Sequence, residues 1–356
     1  MFLKKLNLEN FRCHAFYSGA FSPNINVIVG NNAVGKTSIV ESIYFIGLGR
    51  SYKTNIDSDV IKYNCDYAIV KGEFEKIGGN DDVTVGITHN GKKIKKNETT
   101  IKSISNYVGY VNVVNFCPED VEIVVGSPQE RRKFLDIAIS QMDKTYLNSL
   151  SNYKKILKQR NEMLKLMNEG KTVDNSLLSI IDDELVRYGS EVILKRKNFI
   201  DEFCSYVSTE SMFISDGDEK VELKYYPNTA IESFMNNLKS RQKYDVLTKK
   251  TSIGPHRDEV LIINGGKNVA QFGSQGQIRT AALSIKIGLS HFFIDGNRNV
   301  IIILDDVFSE LDKNRQNKLI QTLKNKCQVF ITTTSINEIN DDLIKESKII
   351  NLERRD

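Results

Sequence analysis

The sequence predicts an α/β protein, a phosphate-loop sheet with flanking helices that is interrupted by an inserted antiparallel helical hairpin. Three observations predict it. An apolar strand near the amino terminus runs through a glycine-rich loop into a helix. A second apolar strand, at residues 300–304, ends in two aspartates. Between them, two long stretches carry apolar residues at steps of three and four, the period of one helix face.

The first element is Ile25-Asn26-Val27-Ile28-Val29, apolar and β-branched, which reads as a buried strand. It feeds Gly30-Asn31-Asn32-Ala33-Val34-Gly35-Lys36-Thr37, a complete G-x-x-x-x-G-K-T, and Ser38-Ile39-Val40-Glu41-Ser42-Ile43-Tyr44 then opens a helix. The glycines let the backbone wrap with its N–H groups inward, at the positive end of that helix, where phosphate binds. Lys36 is placed to reach the β and γ phosphates, which counts it among the catalytic residues, and the Thr37 hydroxyl to ligate Mg²⁺. A nucleoside triphosphate is expected on residues 30–37.

The second strand, Val300-Ile301-Ile302-Ile303-Leu304, carries Asp305-Asp306 at its carboxyl end. A carboxylate at a strand end beside a phosphate loop is where Mg²⁺ is held, so Asp305 takes that role. Asp306, expected one residue deeper, would orient or deprotonate the attacking water. The bland alternative is a pair of turn-formers.

The inserted hairpin begins at Ser127-Pro128-Gln129-Glu130, a helix start with a serine cap, proline at the first position and glutamate three on. Leu135, Ile139, Met142, Tyr146, Leu150, Tyr153, Leu157, Leu164 and Met167 draw one stripe down a single long helix, which Asn168-Glu169-Gly170-Lys171 breaks. Leu178, Ile181, Leu185, Tyr188, Val192 and Phe199 mark the returning helix, so the arm should be roughly 50–60 Å long. The stripe reads as core packing. The expected division is an ATPase-type head in two pieces, 1–120 and 246–356, with the arm or lid at 121–245.

Composition sets the outer bounds. A chain of 356 residues, 40% hydrophobic, suggests two domains or one with an insertion, and a net charge of +4 permits nucleic-acid binding without demanding it. Cys13, Cys65, Cys117, Cys204 and Cys327 are scattered, with no C-x-x-C, and read as reduced, mostly buried thiols of a cytoplasmic protein. The four histidines offer no metal spacing. No apolar run approaches the roughly 20 residues of a membrane span, so no membrane partner is expected. Near residue 90, Val83-Thr84-Val85-Gly86-Ile87-Thr88-His89-Asn90-Gly91 reads as a β-hairpin turning at Asn90-Gly91. Lys92, Lys93, Lys95 and Lys96 follow; they could grip DNA phosphates or guard an exposed edge strand. Arg131, Arg132 and Lys133 could likewise grip phosphates or simply form a solvated first turn of helix.

Phe272-Gly273-Ser274-Gln275-Gly276-Gln277 opens another helix, a second anion site about 27 residues before the acidic strand end. That order and spacing resemble the signature motif of ABC-type ATPases, whose fold is a mixed sheet with flanking helices. The resemblance implies that Ser274, Gln275, Gly276 and Gln277 act in trans, on the ATP of a second protomer. Ser309-Glu310-Leu311-Asp312 resembles the D-loop of that superfamily, and Thr332-Thr333-Thr334 stands where transporters carry a switch histidine, with Thr333 taken as the switch threonine. Asn10-Phe11-Arg12 resembles the SMC-like branch, in which the arginine reaches the nucleotide; a surface charge is the alternative.

Four further blocks narrow the match: Leu48-Gly49-Arg50-Ser51-Tyr52; Phe116-Cys117-Pro118-Glu119-Asp120; Gly126-Ser127-Pro128-Gln129-Glu130-Arg131-Arg132; and Gly254-Pro255-His256-Arg257-Asp258. With these the chain closely resembles the bacterial RecF family over essentially its whole length. The resemblance implies a weak, DNA-stimulated ATPase that uses ATP and Mg²⁺ to dimerise head-to-tail on DNA. It further implies recognition of single-strand/double-strand junctions and cooperation with RecR and RecO in loading RecA onto gapped DNA, in repair and replication. An SMC-type tether fails on arm length. A transporter subunit would need a glutamine between Thr37 and Gln129, and none occurs. Glu119 or Asp120 is the stand-in expected to position water with Asp306.

Overall fold

The computed structural model describes residues 1–308, 313–339 and 341–353, which include two units: Met1–Asp120 with Lys286–Asp356, and Val121–Ile285. In the first unit the β-branched runs form a parallel five-stranded sheet, in the order Ser347–Asn351, Ile25–Val29, Gln328–Thr333, Val300–Asp305, Asn112–Phe116. The strand Gln328–Thr333 lies between the phosphate-loop strand and the acidic strand, pairing Thr333 with Val29 and Thr332 with Asp305. All three therefore end at one edge, and the loops that follow them share a neighbourhood. Burial on both faces is what a parallel sheet requires, and every residue of Val300–Asp305 and Gln328–Thr333 is buried.

A second, antiparallel sheet runs in the order His14–Ala20, Phe2–Phe11, Tyr67–Lys76, Gly79–Thr88, Gly91–Lys96, Thr99–Thr100. Its strands alternate, with Ala68, Val70 and Phe74 turned to the core, because only one face is covered. The helix Lys36–Leu48 packs against strands of both sheets and is buried nearly all round for that reason. Gln328 stitches the sheets by bonding the backbone N–H and C=O of Leu3, each at 2.8 Å. The hairpin turns one residue earlier than its Asn-Gly pair suggests. Thr88 faces Gly91, so His89 and Asn90 form the two-residue loop and Gly91, at φ 138°, opens the returning strand.

In the second unit, the single long helix expected from the stripe is two helices, Pro128–Met142 and Lys144–Asn168. Asp143 breaks it with an extended backbone, and its carboxylate caps the second piece by accepting from the N–H groups of Thr145 and Tyr146. Ser127 makes no side-chain cap; Pro128 alone marks that start. Helix Asn175–Ile214 returns antiparallel, as falling partner numbers show: Asp143 bonds Lys195, Ser149 bonds Glu191 and Arg160 bonds Asp182. Its 40 residues span about 60 Å. The stripe is core: Tyr153, Leu178, Ile181 and Leu185 pack with Ile156, Phe234 and Leu238.

The inserted unit runs to Ile285 rather than 245. Strand Glu259–Asn264 pairs with Val221–Tyr226, and two buried arginines hold the chain between them. Arg160 bonds Asp182, Asp245 and Thr251 at 2.7–2.9 Å, and Arg196 bonds Asp136, Asp258 and the Pro255 carbonyl at 2.7–2.9 Å. Gly254, at φ 132°, has no room for a Cβ, which would lie 2.4 Å from the Tyr153 hydroxyl. Among the described residues, no helix is long and apolar enough to cross a membrane.

Candidate functional site

The phosphate loop turns on Gly35, whose φ of 100° is the left-handed region that favours glycine. A Cβ there would also lie 2.4 Å from His14 Nε2 and 2.6 Å from Cys13 Sγ. The helix Lys36–Leu48 starts at once, and no side chain caps its first turn, so its leading N–H groups are left for an anion. Asn31, Asn32 and Ala33 are exposed at the rim, while Val34 and Gly30 are half-buried. Lys36 is buried, its Nζ donating to the carbonyls of Gly30 at 2.7 Å and Asn31 at 3.0 Å. The ammonium thus bends over the inside of the loop with one proton uncommitted. A cradle without side-chain bulk, free N–H groups and a lysine fits a phosphate chain.

Across the sheet edge, Asp305 is buried and accepts three hydroxyls. Thr37 donates to its Oδ1 at 3.0 Å, Thr332 to the same oxygen at 2.9 Å, and Tyr52 to Oδ2 at 2.7 Å. Thr37 and Asp305 are 268 residues apart in sequence. Their hydroxyl and carboxylate form the hard oxygen set that Mg²⁺ takes alongside phosphate oxygens. Asp306 lies beyond the strand end, not deeper in it, with a left-handed φ of 55°. Its N–H donates to Thr332 Oγ1 at 2.9 Å. Burial, with the charge of Asp305 beside it, raises its proton affinity above the ordinary carboxylate range.

The segment expected to act in trans belongs to the inserted unit. Ser274 and Gln277 cap helix Gln275–Asp295 reciprocally, the Ser274 N–H donating to Gln277 Oε1 at 2.9 Å and the Gln277 N–H to Ser274 Oγ at 3.3 Å. Ser274, Gln275 and Gly276 are exposed, and a Cβ on Gly276 would meet nothing nearer than 3.9 Å. Farther along that helix Lys286 is buried and donates to the Asn115 carbonyl and to Asp120, each at 2.8 Å. Asp120 is therefore already engaged, by Lys286 and by the Cys117 N–H, and is not free to position water as expected. The D-loop residues 309–312 lie outside the described residues.

The family described as RecF/RecN/SMC N terminal domain matches residues 2–351 of this chain. The DNA replication and repair protein RecF of Geobacillus thermodenitrificans is 37% identical over 360 residues, covering 98% of this chain and 97% of the relative. The chain belongs to the RecF family. The RecF of Ligilactobacillus salivarius is 36% identical, with 99% and 96% covered. A solved structure of the recombination mediator protein RecF-ATP in the RecFOR pathway superposes with a TM-score of 0.88 at 33% identity, covering 95% of this chain and 93% of that one. An Smc head bound to the C-winged helix domain of ScpA, 16% identical with a TM-score of 0.57, shares the fold. The expected α/β ABC-type ATPase-head class is thus what the chain has, its strands divided between a parallel and an antiparallel sheet.

In this RecF-family chain Arg12 is neither a loose surface charge nor an idle one. It makes a two-pronged ion pair with buried Glu41, at 2.9 and 2.6 Å, and donates to the Asp59 carbonyl at 2.7 Å. Among the described residues, two of its five N–H groups have no partner and remain for a ligand. Thr333 is buried with its hydroxyl turned into its own chain, donating to the Ser335 carbonyl at 3.0 Å. Thr332 is the threonine at the carboxylates. Of the lysine candidates, Lys92 pairs with Asp57 at 2.6 Å, Lys95 with Glu98 at 3.8 Å, and Lys96 with Asp81 at 3.2 Å while lying over the Tyr110 ring. Lys93 is exposed with no ion-pair partner among the described residues. Arg131 and Arg132 are spent inside the inserted unit, on Glu259 and the Asp258 carbonyl.

The five cysteines are unpaired, Cys13 exposed and the others half-buried. A hydrogen bond from His14 lowers the Cys13 thiol pKa against the opposing effect of burial. Glu41 and His14 carry no sequence signal as site residues. Tyr52 and Thr332 fall inside the blocks Leu48-Gly49-Arg50-Ser51-Tyr52 and Thr332-Thr333-Thr334, but nothing in the sequence gives either a role at the carboxylates.

Proposed function

We propose that this chain is an ATP-dependent DNA-binding switch of recombinational repair and replication. The observation that carries the reading is the Thr37–Asp305 bond, which joins the phosphate loop to the acidic strand end across 268 residues. ATP lies along residues 30–37, its β and γ phosphates on Lys36 and on the leading N–H groups of the helix, with Arg12 beside them. Thr37 and Asp305 hold Mg²⁺, which when bound offsets phosphate charge and polarises the bond to be cleaved. Asp306, whose proton affinity is raised, takes the proton of the attacking water. Hydrolysis is slow and rises with DNA, as suits a timer.

The exposed Ser274, Gln275 and Gly276, with the half-buried Gln277, close over the γ-phosphate of a second copy, so ATP drives a head-to-tail homodimer. The dimer holds duplex DNA at single-strand/double-strand junctions, in a pathway with RecO and RecR that ends in RecA loading. The solved structure of the recombination mediator protein RecF-ATP in the RecFOR pathway supports that assignment. The chain works in the cytoplasm. Mass measurement in solution tests the reading: wild type should become dimeric with ATP and Mg²⁺, more so with gapped DNA, and Ser274→Arg should stay monomeric. A wild type that remains monomeric, or a Ser274→Arg that dimerises, removes the trans mechanism. Lys36→Ala should lose nucleotide binding altogether.

A further inference from the structure

We propose that Tyr52 is a positioning residue for the divalent cation, its phenol fixing the Asp305 carboxylate from the side of the phosphate-loop helix. The inference rests on the reading that Asp305 and Thr37 hold Mg²⁺. Both threonines bond the same oxygen of Asp305, Oδ1, while among the described residues Oδ2 has only Tyr52, at 2.7 Å. A carboxylate turns readily about its last torsion, where the energy wells are broad. A donor on each oxygen is what holds Oδ1 toward Thr37.

Tyr52 is itself held. Its ring meets Tyr44, a buried residue of helix Lys36–Leu48, edge-on at 5.2 Å. Its neighbour Ser51 is buried and donates to Glu41 of the same helix at 2.5 Å. The Ser51 oxygen also accepts from the N–H groups of Lys53 and Thr54, at 2.9 and 3.2 Å, which locks the turn that presents the phenol. Glu41 in turn is pinned by Arg12. The helix that starts the phosphate cradle thus aims the carboxylate of a distant strand through a chain of side chains: Arg12, Glu41, Ser51, Tyr52, Asp305. Partners one step outside a metal's ligands commonly govern 10–100-fold in its affinity, and here that partner arrives with the nucleotide's own helix.

The test uses the full chain and an ATP analogue with a fluorescent ribose tag, in EDTA and then titrated with Mg²⁺, for wild type, Tyr52→Phe and Asp305→Asn. Tyr52→Phe should bind the nucleotide without metal within about two-fold of wild type, while the Mg²⁺ concentration for half-saturation rises about ten-fold. A purely structural role would weaken both together, and that result overturns the inference, as does an unchanged Mg²⁺ half-saturation. If Asp305→Asn shifts the Mg²⁺ dependence and Tyr52→Phe does not, only the role of Tyr52 falls. If Asp305→Asn leaves it unmoved, the cation reading and the inference fall together.

Discussion

His256 should make the inserted unit acid-sensitive, and the size of the effect can be worked out. Its Nε2 donates to the Thr251 carbonyl at 2.9 Å, which leaves Nδ1 to accept the Tyr153 hydroxyl at 2.6 Å. That arrangement needs the neutral ring. Burial, with Arg257 and Arg132 nearby, pushes its pKa down from 6.5 to about 4. Between those values the unfolded chain binds a proton that the folded chain refuses, so stability falls as pH drops through that window. For one such group the loss between pH 7 and pH 5 is about 2 kcal/mol. The chain has no tryptophan, so urea unfolding followed by far-ultraviolet circular dichroism is the assay. Wild type and His256→Gln are compared at both pH values. Whatever the variant's stability at pH 7, its loss from pH 7 to 5 should be smaller than wild type's by about 2 kcal/mol. Carboxylates common to both cancel. Equal losses would show that the ring is protonated, or solvated, in the folded state.

Asp143→Ala removes the cap of helix Lys144–Asn168 and the partner of Lys195, so thermal unfolding should show a loss of about 1–2 kcal/mol, with nucleotide binding in the first unit unchanged. For DNA, Lys93→Glu should weaken binding and lower the slope of log affinity against log salt by about one. Lys92→Ala, already paired with Asp57, should change that slope much less, as a salt titration of a gapped duplex will register.

The strands and the phosphate loop were legible because their signals are local. Val300-Ile301-Ile302-Ile303-Leu304 must be buried on both faces wherever it goes, and Gly35 must take a left-handed turn before a lysine that bends back. Apolar periodicity found both helices of the arm, but it could not see the break at Asp143, since Met142 and Tyr146 keep the stripe in step across it. The domain boundary failed for a different reason. What binds residues 246–285 to the inserted unit is a strand pairing and two buried arginines, Arg160 through Thr251 and Arg196 through Asp258 and the Pro255 carbonyl, partners 59 to 91 residues away. No local composition marks such partners.

The same division runs through the site. The residues proposed to face the ligand sit in motifs because a backbone cradle needs consecutive residues of defined type. The residues that aim them do not, because any donor that reaches the right oxygen will serve. Thr332, rather than its neighbour Thr333, meets Asp305 for a reason of strand geometry alone. Side chains alternate along Gln328–Thr333, and pairing sets Thr332 opposite Asp305, so its hydroxyl falls on the carboxylate while that of Thr333 turns back to Ser335. Register decides it, and register is fixed only when the neighbouring strand is in place. A one-residue slip would put the wrong threonine on Asp305. The fully buried, β-branched character of these strands therefore serves the chemistry as well as the core: it holds the pairing that brings Thr332, Asp305 and Thr37 to one point.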